Sequence, residues 1–142
     1  MNLLKDERVI IKPLNKFDLE EGNVLHALKA SEPEFNGFQE AYFSTIKNNR
    51  IKGWKRHLRM TMNLIVPVGN VQFNFYDEKK FLIKNTLIGE KNYSRITVPP
   101  MIWFGFKGIS NNTSYILNIS DVLHDPSEQE RKPLTFLNFI SK

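Results

Sequence analysis

Residues 47–77 read KNNRIKGWKRHLRMTMNLIVPVGNVQFNFYD. The first thirteen carry six cations, Lys47, Arg50, Lys52, Lys55, Arg56 and Arg59, and no acid. The remainder is an apolar ladder that turns at Pro67-Val68-Gly69-Asn70, where glycine and asparagine supply the backbone angles of a tight hairpin. Strand side chains alternate between faces. Gly53, Lys55, His57 and Arg59 therefore share one face, and Trp54, Arg56, Leu58 and Met60 the other. Two arrangements are open. If the first face looks into a barrel, its positive groups repel one another unless an anion or carboxylate balances them. If Trp54, Leu58 and Met60 form the buried face, the cations are solvated.

Strand patterns flank this stretch on both sides. Residues 8–13, 40–47, 51–62, 81–87, 93–98, 102–107 and 114–119 are further candidates, with turn signals between them. Residues 63–68 and 71–77 pair as the hairpin about the Pro67–Asn70 turn. Residues 23–29 fit a strand or a helix, and residues 134–140 a strand or a short helix on the core. No segment keeps a helical period over ten residues, so the expected fold is all-β, a sandwich or barrel. The sequence has 142 residues, which predicts one domain over 1–142. Eleven phenylalanines suit pleated, half-buried surfaces.

The formal charge is +5, less than the basic cluster alone supplies, so the basicity is local. A local basic cluster suits a phosphate-bearing partner. The chain has no cysteine, hence no disulfide and no thiolate chemistry. Charges interrupt MNLLKDERVIIK where a secretion signal needs an apolar run, and no apolar stretch is long enough for a membrane span. A cytoplasmic protein without a membrane partner is expected. His26, His57 and His124 are too few and too scattered for a zinc site, so no metal is expected. There is no P-loop, no dinucleotide fingerprint and no serine nucleophile elbow. Glu20, Glu21, Glu128 and Glu130 fall in turns or the tail, where acids are usually solvated.

Four segments in order resemble the dTDP-4-dehydrorhamnose 3,5-epimerases and their small sugar-epimerase relatives. They are EAYFSTIKNNRIKGWKRHLRMT, NLIVPVGNVQFNFYD, RITVPPMIWFGFKG and LNISDVLHDPSEQER. The resemblance implies a cupin-like β-jelly roll barrel, a homodimer, and a nucleoside-diphosphate 4-keto-6-deoxysugar held inside the barrel with no cofactor. The family's Arg-Gly-x-His falls on Lys52-Gly53-Trp54-Lys55. Lys52 keeps a cation for the diphosphate, and Lys55 replaces the histidine base. The family's Lys-Leu-Val falls on Asn63-Leu64-Ile65. Its second histidine falls on Phe104. Its acid tyrosine falls near Leu117 or Asn118, with Tyr115 the nearest tyrosine. The aspartate that pairs with the base belongs to a C-terminal region beyond this chain's match. Against the related 3,4-ketoisomerases, His-x-His falls on Lys55-Arg56-His57, and the second histidine is kept.

Two functions follow as expectations. The first is an isomerase on a nucleotide-linked keto-sugar, with His57 as base, Lys55 as base or electrophile and Tyr115 as acid. Lys52, Arg59 and Asn63 would bind substrate. Trp103 would stack on the base or sugar, or be a core aromatic. The second is a binding module of the same fold without turnover. Nucleic acid is the less favoured partner for the basic strand, because its aromatics alternate as core residues do. Residues 8–13 are expected to cover a partner's sheet edge in the dimer.

Overall fold

The computed structural model describes residues 6–141. Its strands are β1 (Ile10–Pro13), β2 (Lys16–Phe17), β3 (Val24–Leu25), β4 (Glu40–Ile46), β5 (Ile51–His57) and β6 (Met62–Val68). They continue as β7 (Asn70–Tyr76), β8 (Leu82–Gly89), β9 (Ser94–Val98), β10 (Trp103–Gly108), β11 (Ser114–Ser120) and β12 (Gln129–Arg131). One five-stranded sheet has the order β1-β9-β6-β11-β4 and the other β12-β5-β10-β7-β8, with β2-β3 as a separate ribbon. The ladders are antiparallel. From β4 onward the chain crosses between sheets at each connection except β7 to β8. That topology makes the all-β, cupin-like jelly roll. No helix among the described residues is long and apolar enough to cross a membrane.

The crossings correct the expected hairpin. β6 pairs with β9 and β11, while β7 pairs with β8 and β10, so Gly69 is a corner between sheets. Gly69 has φ +85°, and a Cβ there would lie 2.0 Å from the Ser114 hydroxyl oxygen, which only glycine avoids. A second correction concerns the basic strand. It stops at His57 rather than running to residue 62, because the following amides turn toward the C-terminal segment. The N-terminal strand β1 pairs with β9 of its own chain.

The inward faces form the core, where Val66, Val71, Phe73, Phe75, Ile88 and Ile96 are fully buried. Apolar burial of this kind is the main favourable contribution to folding. A smaller cluster sits on the outside of the second sheet. There Trp54, Tyr76, Trp103 and Leu137 are buried, with Phe136 and Phe139 packed against them. A short 3-10 turn, Leu134–Phe136, carries the C-terminal segment over them, and its Leu134 carbonyl accepts from Trp54 Nε1 at 3.1 Å. Gly105 is required here, since its Cβ would meet the Trp54 ring at 2.9 Å.

The outside of the first sheet is closed by charge. Arg95 of β9 is fully buried and pairs with Glu34 at 2.8 Å and Glu32 at 3.1 Å. It also donates to the Ala27 carbonyl, tying residues 27–34 onto the sheet. The guanidinium and Lys12 pull Glu32 down to about 2.

Candidate active site

A cavity of about 410 Å³ lies between the two sheets, lined from both. Its position depends on one irregularity in the β5–β10 ladder. Lys55 stands opposite Phe104 and Lys52 opposite Phe106, so three steps on β5 match two on β10. A bulge of this kind re-aims a side chain. It brings Lys52 and Lys55, which strict alternation would separate, onto the same cavity. Phe104 and Phe106 stack at 6.5 Å and form an aromatic wall. The Lys55 ammonium lies 5.9 Å from the centre of the Phe104 ring.

β12 pairs with β5 and places Arg131 directly opposite Lys55. Arg131 and Lys132 join Lys52 and Lys55 in the cavity lining, which contains no carboxylate. The Lys52 ammonium is steadied by the Thr45 carbonyl at 2.6 Å, while that of Lys132 leans over Phe136 at 5.6 Å. The remaining cations of the basic stretch do not form one surface. Arg56 pairs with Glu130 at 2.7 Å and lies over the Trp103 ring, and Arg59 reaches Asp125 at 3.4 Å.

His57 ends β5 and is buried, its ring parallel to Phe104 at 6.2 Å. His57 Nδ1 lies 2.6 Å from Glu128 Oε1. The other carboxylate oxygen accepts the amides of Arg59 and Met60, each at 2.9 Å. Burial opposes the charge on Glu128, but these amides and the imidazole together hold its carboxyl below the usual carboxylate range. Burial holds His57 below its usual range, against the pull of Glu128. A neutral imidazole beside an ionised carboxylate keeps its proton on Nδ1. Nε2 then carries the free lone pair, and it is buried without a hydrogen-bond partner. His57 thus offers a buried, unpaired basic nitrogen on a ring held against Phe104, the ring that walls the cavity, and such a group is a candidate general base.

Across the barrel, Tyr42 of β4 lines the cavity and its hydroxyl accepts from Asn118 Nδ2 at 3.0 Å. Burial raises this phenol above its usual range, so it stays protonated and able to donate. Asn118 stands opposite Tyr42 in the β4–β11 ladder. The Tyr42 hydroxyl of the neighbouring strand thus meets the side chain of Asn118.

Four expected site residues lie elsewhere. Tyr115 is on the outer face of β11 and 43% exposed, because Ile116 and Asn118 take the inward positions. Arg59 follows the end of β5 and points to solvent, its side chain 62% exposed. Asn63 is outside the first sheet, bonded to Thr97 and the Glu34 carbonyl, because Met62 and Leu64 face inward. Trp103 is a buried aromatic of the outer cluster. Lys52 and Lys55 do line the cavity, with His57 immediately behind Phe104. The sequence reading missed Glu128, Arg131, Lys132 and Tyr42. Inward alternation along EAYFSTI could have found Tyr42. The pairing of β12 with β5 left no local signal for the other three. Among the described residues no cluster of three or more metal-ligating side chains occurs.

No protein-family profile matches the chain. The solved dTDP sugar isomerase of Desulfovibrio desulfuricans G20 is 34% identical, with a TM-score of 0.88, over 99% of this chain and 94% of that one. A dTDP-4-dehydrorhamnose 3,5-epimerase from Sulfolobus tokodaii shares the fold at 15% identity and a TM-score of 0.81, over 100% of this chain and 85% of that one. By sequence, a probable low-salt glycan biosynthesis epimerase, Agl13, of Haloferax volcanii is 26% identical over 121 residues, 79% of this chain and 78% of that protein.

The buried, neutral His57 links stability to pH. Its folded pKa lies below the ordinary 6.5, so its contribution is fully present above pH 6.5 and is lost as pH falls through the folded value. Glu128 adds to the loss only below its ordinary 4.5. Urea midpoints should therefore fall between pH of about 7.5 and about 5 in the wild type. The fall should be much smaller in His57→Asn; equal slopes in both proteins would contradict a buried neutral imidazole.

Proposed function

The chain belongs to the family of dTDP-sugar isomerases and epimerases, and we propose that it acts on a dTDP- or other nucleoside-diphosphate-linked 4-keto-6-deoxysugar in surface glycan biosynthesis. The observation that carries this is the His57–Glu128 pair, which leaves Nε2 unpartnered behind Phe104, whose ring walls a cationic cavity. A cavity of about 410 Å³ falls within the range of small-molecule sites.

The chemistry follows from the placement. Lys52 and Arg131 bind the diphosphate, for which the lining offers cations and no competing acid. Phe104 and Phe106 give the apolar wall for the sugar or base. His57 Nε2 takes the proton from the carbon next to the ketone. The electron pair released is taken up at the ketone carbon, where Lys55 and the Tyr42 hydroxyl are the groups on hand. Tyr42 is the proton donor for the opposite face, in the role first expected of Tyr115. Glu128 keeps the Nδ1–H tautomer and balances the imidazolium that forms. The reaction draws on side chains alone, needs no metal or cofactor, and proceeds in the cytoplasm.

We also infer a single domain that works as a homodimer. The outer face of β4, β6 and β11 exposes Phe43 (62%), Tyr115 (43%) and Val68 (40%), an apolar strip beside the open edge strand β4. An uncovered edge with apolar neighbours favours a second copy. Light scattering at micromolar concentration should give a dimer; a monomer alone would remove this inference.

The test of the reaction is solvent-deuterium incorporation. Wild type should wash deuterium into a dTDP-4-keto-6-deoxysugar. His57→Asn should abolish the exchange with little change in binding, the pattern of a lost transition-state role. Tyr42→Phe should slow turnover by about 10²–10⁴-fold. A wild type that binds the sugar and exchanges no deuterium would leave a binding module without turnover.

A further inference from the structure

We propose that Lys55 is a nucleophile, forming an iminium with the C4 ketone so that proton abstraction by His57 passes through an enamine rather than an enolate. This rests on the keto-sugar reading of the cavity and specifies how the ketone is activated there.

Three observations place a reactive amine at this position. Lys55 lines the cavity, yet among the described residues no carboxylate forms an ion pair with its ammonium; its neighbour is the Phe104 face at 5.9 Å. Arg131 stands opposite it in the ladder, and the bulge brings Lys52 to the same cavity. His57 lies two residues on along β5, the spacing that shares a face. The other cations differ: Lys52 is anchored on the Thr45 carbonyl, Arg56 on Glu130 and Arg59 on Asp125. Lysines become nucleophilic when they are desolvated in an apolar pocket or set beside another cation. Both conditions act here: burial first, then Arg131 and Lys52, lower the Lys55 pKa from its ordinary value against the pull of Glu128.

The steps balance without an outside reagent. The Nζ lone pair attacks C4, the carbonyl oxygen collects two protons and leaves as water, and a C=N bond remains. The iminium acidifies the hydrogens on C3 and C5. His57 Nε2 removes one, and its electron pair forms the C=C bond of the enamine. A proton returned to the same carbon from the other face inverts that centre. Water then adds to the iminium, releasing the ketone and the free amine. The route also limits the outcome. Moving the ketone to C3 would require a proton on C4, leaving nitrogen held there by a single bond and the sugar tethered to the protein. Lys55 chemistry therefore specifies epimerisation next to the ketone and not 3,4-ketone migration.

The experiment is reductive trapping. The full-length protein is incubated with dTDP-4-keto-6-deoxyglucose, treated with cyanoborohydride, and analysed by intact mass and peptide mapping. Deuterium exchange and ligand binding are followed on the same samples. Wild type should gain the mass of the sugar nucleotide less one oxygen atom, on the peptide containing Lys55. Lys55→Arg, which keeps the charge, should show no adduct and lose the exchange while still binding. If wild type exchanges deuterium but gives no adduct, or if Lys55→Arg exchanges at the wild-type rate, the nucleophile proposal fails and the keto-sugar reading stands. An adduct of equal yield in Lys55→Arg also overturns it. Absence of both exchange and adduct overturns the proposal together with the reading on which it rests.

Discussion

One carboxylate holds the site together. Glu128 is buried, and its two oxygens accept from the His57 ring and from the amides of Arg59 and Met60. A buried carboxylate is costly unless such bonds satisfy it, and removing one member of a buried charged cluster typically costs about 3–5 kcal/mol. The same three bonds do three structural jobs. They end β5 at His57, turn the next residues toward β6, and anchor the C-terminal segment that continues as β12. Once Glu128 is fixed, β12 pairs with β5 and Arg131 lies opposite Lys55. Trp54 of β5 then exchanges backbone hydrogen bonds with Lys132 and gives its indole proton to Leu134.

The charge arrangement of the site follows from that anchoring. One anion is placed behind the histidine, away from the cavity lining, while Lys52, Lys55 and Arg131 border the cavity itself. The cavity lining therefore presents cations and no carboxylate, and the imidazole keeps a negative partner on its far side. The opposing shifts agree with this division: His57 is held neutral and Glu128 ionised. An ionised partner fixes the tautomer of a neutral ring, and the tautomer decides which nitrogen can act as base.

The fold was largely legible because alternation and turn residues are local signals. The strand content, the shared face of Lys55 and His57 on β5, and the absence of helical period all followed from it. What failed was long-range. Nothing between Pro67 and Asn70 distinguishes a hairpin from a corner, because that depends on which strands β6 and β7 find as partners. The bulge that gathers Lys52 with Lys55 is a property of the ladder with β10. Glu128 was read as a solvated tail acid although it is separated by 71 residues from His57 and buried against it. Residues carried over by resemblance failed where a one-position step changes the face. Asn63 and Tyr115 each sit beside an inward residue, and Trp103, the stacking candidate, sits beside the inward Phe104. A tyrosine hydroxyl does line the cavity, from Tyr42 of β4, and a carboxylate does pair with His57, from Glu128 in the C-terminal segment.

The central claim is that Glu128 fixes His57 as a neutral imidazole with its proton on Nδ1 and its lone pair on Nε2. Long-range nitrogen-15 NMR of the histidine rings reports this directly, since protonated, unprotonated and charged ring nitrogens have distinct shifts. At pH of about 7, His57 should show a protonated Nδ1 and an unprotonated Nε2, and keep that pattern as pH drops below the ordinary histidine range. An Nε2–H tautomer, or a charged imidazolium at neutral pH, would contradict the account.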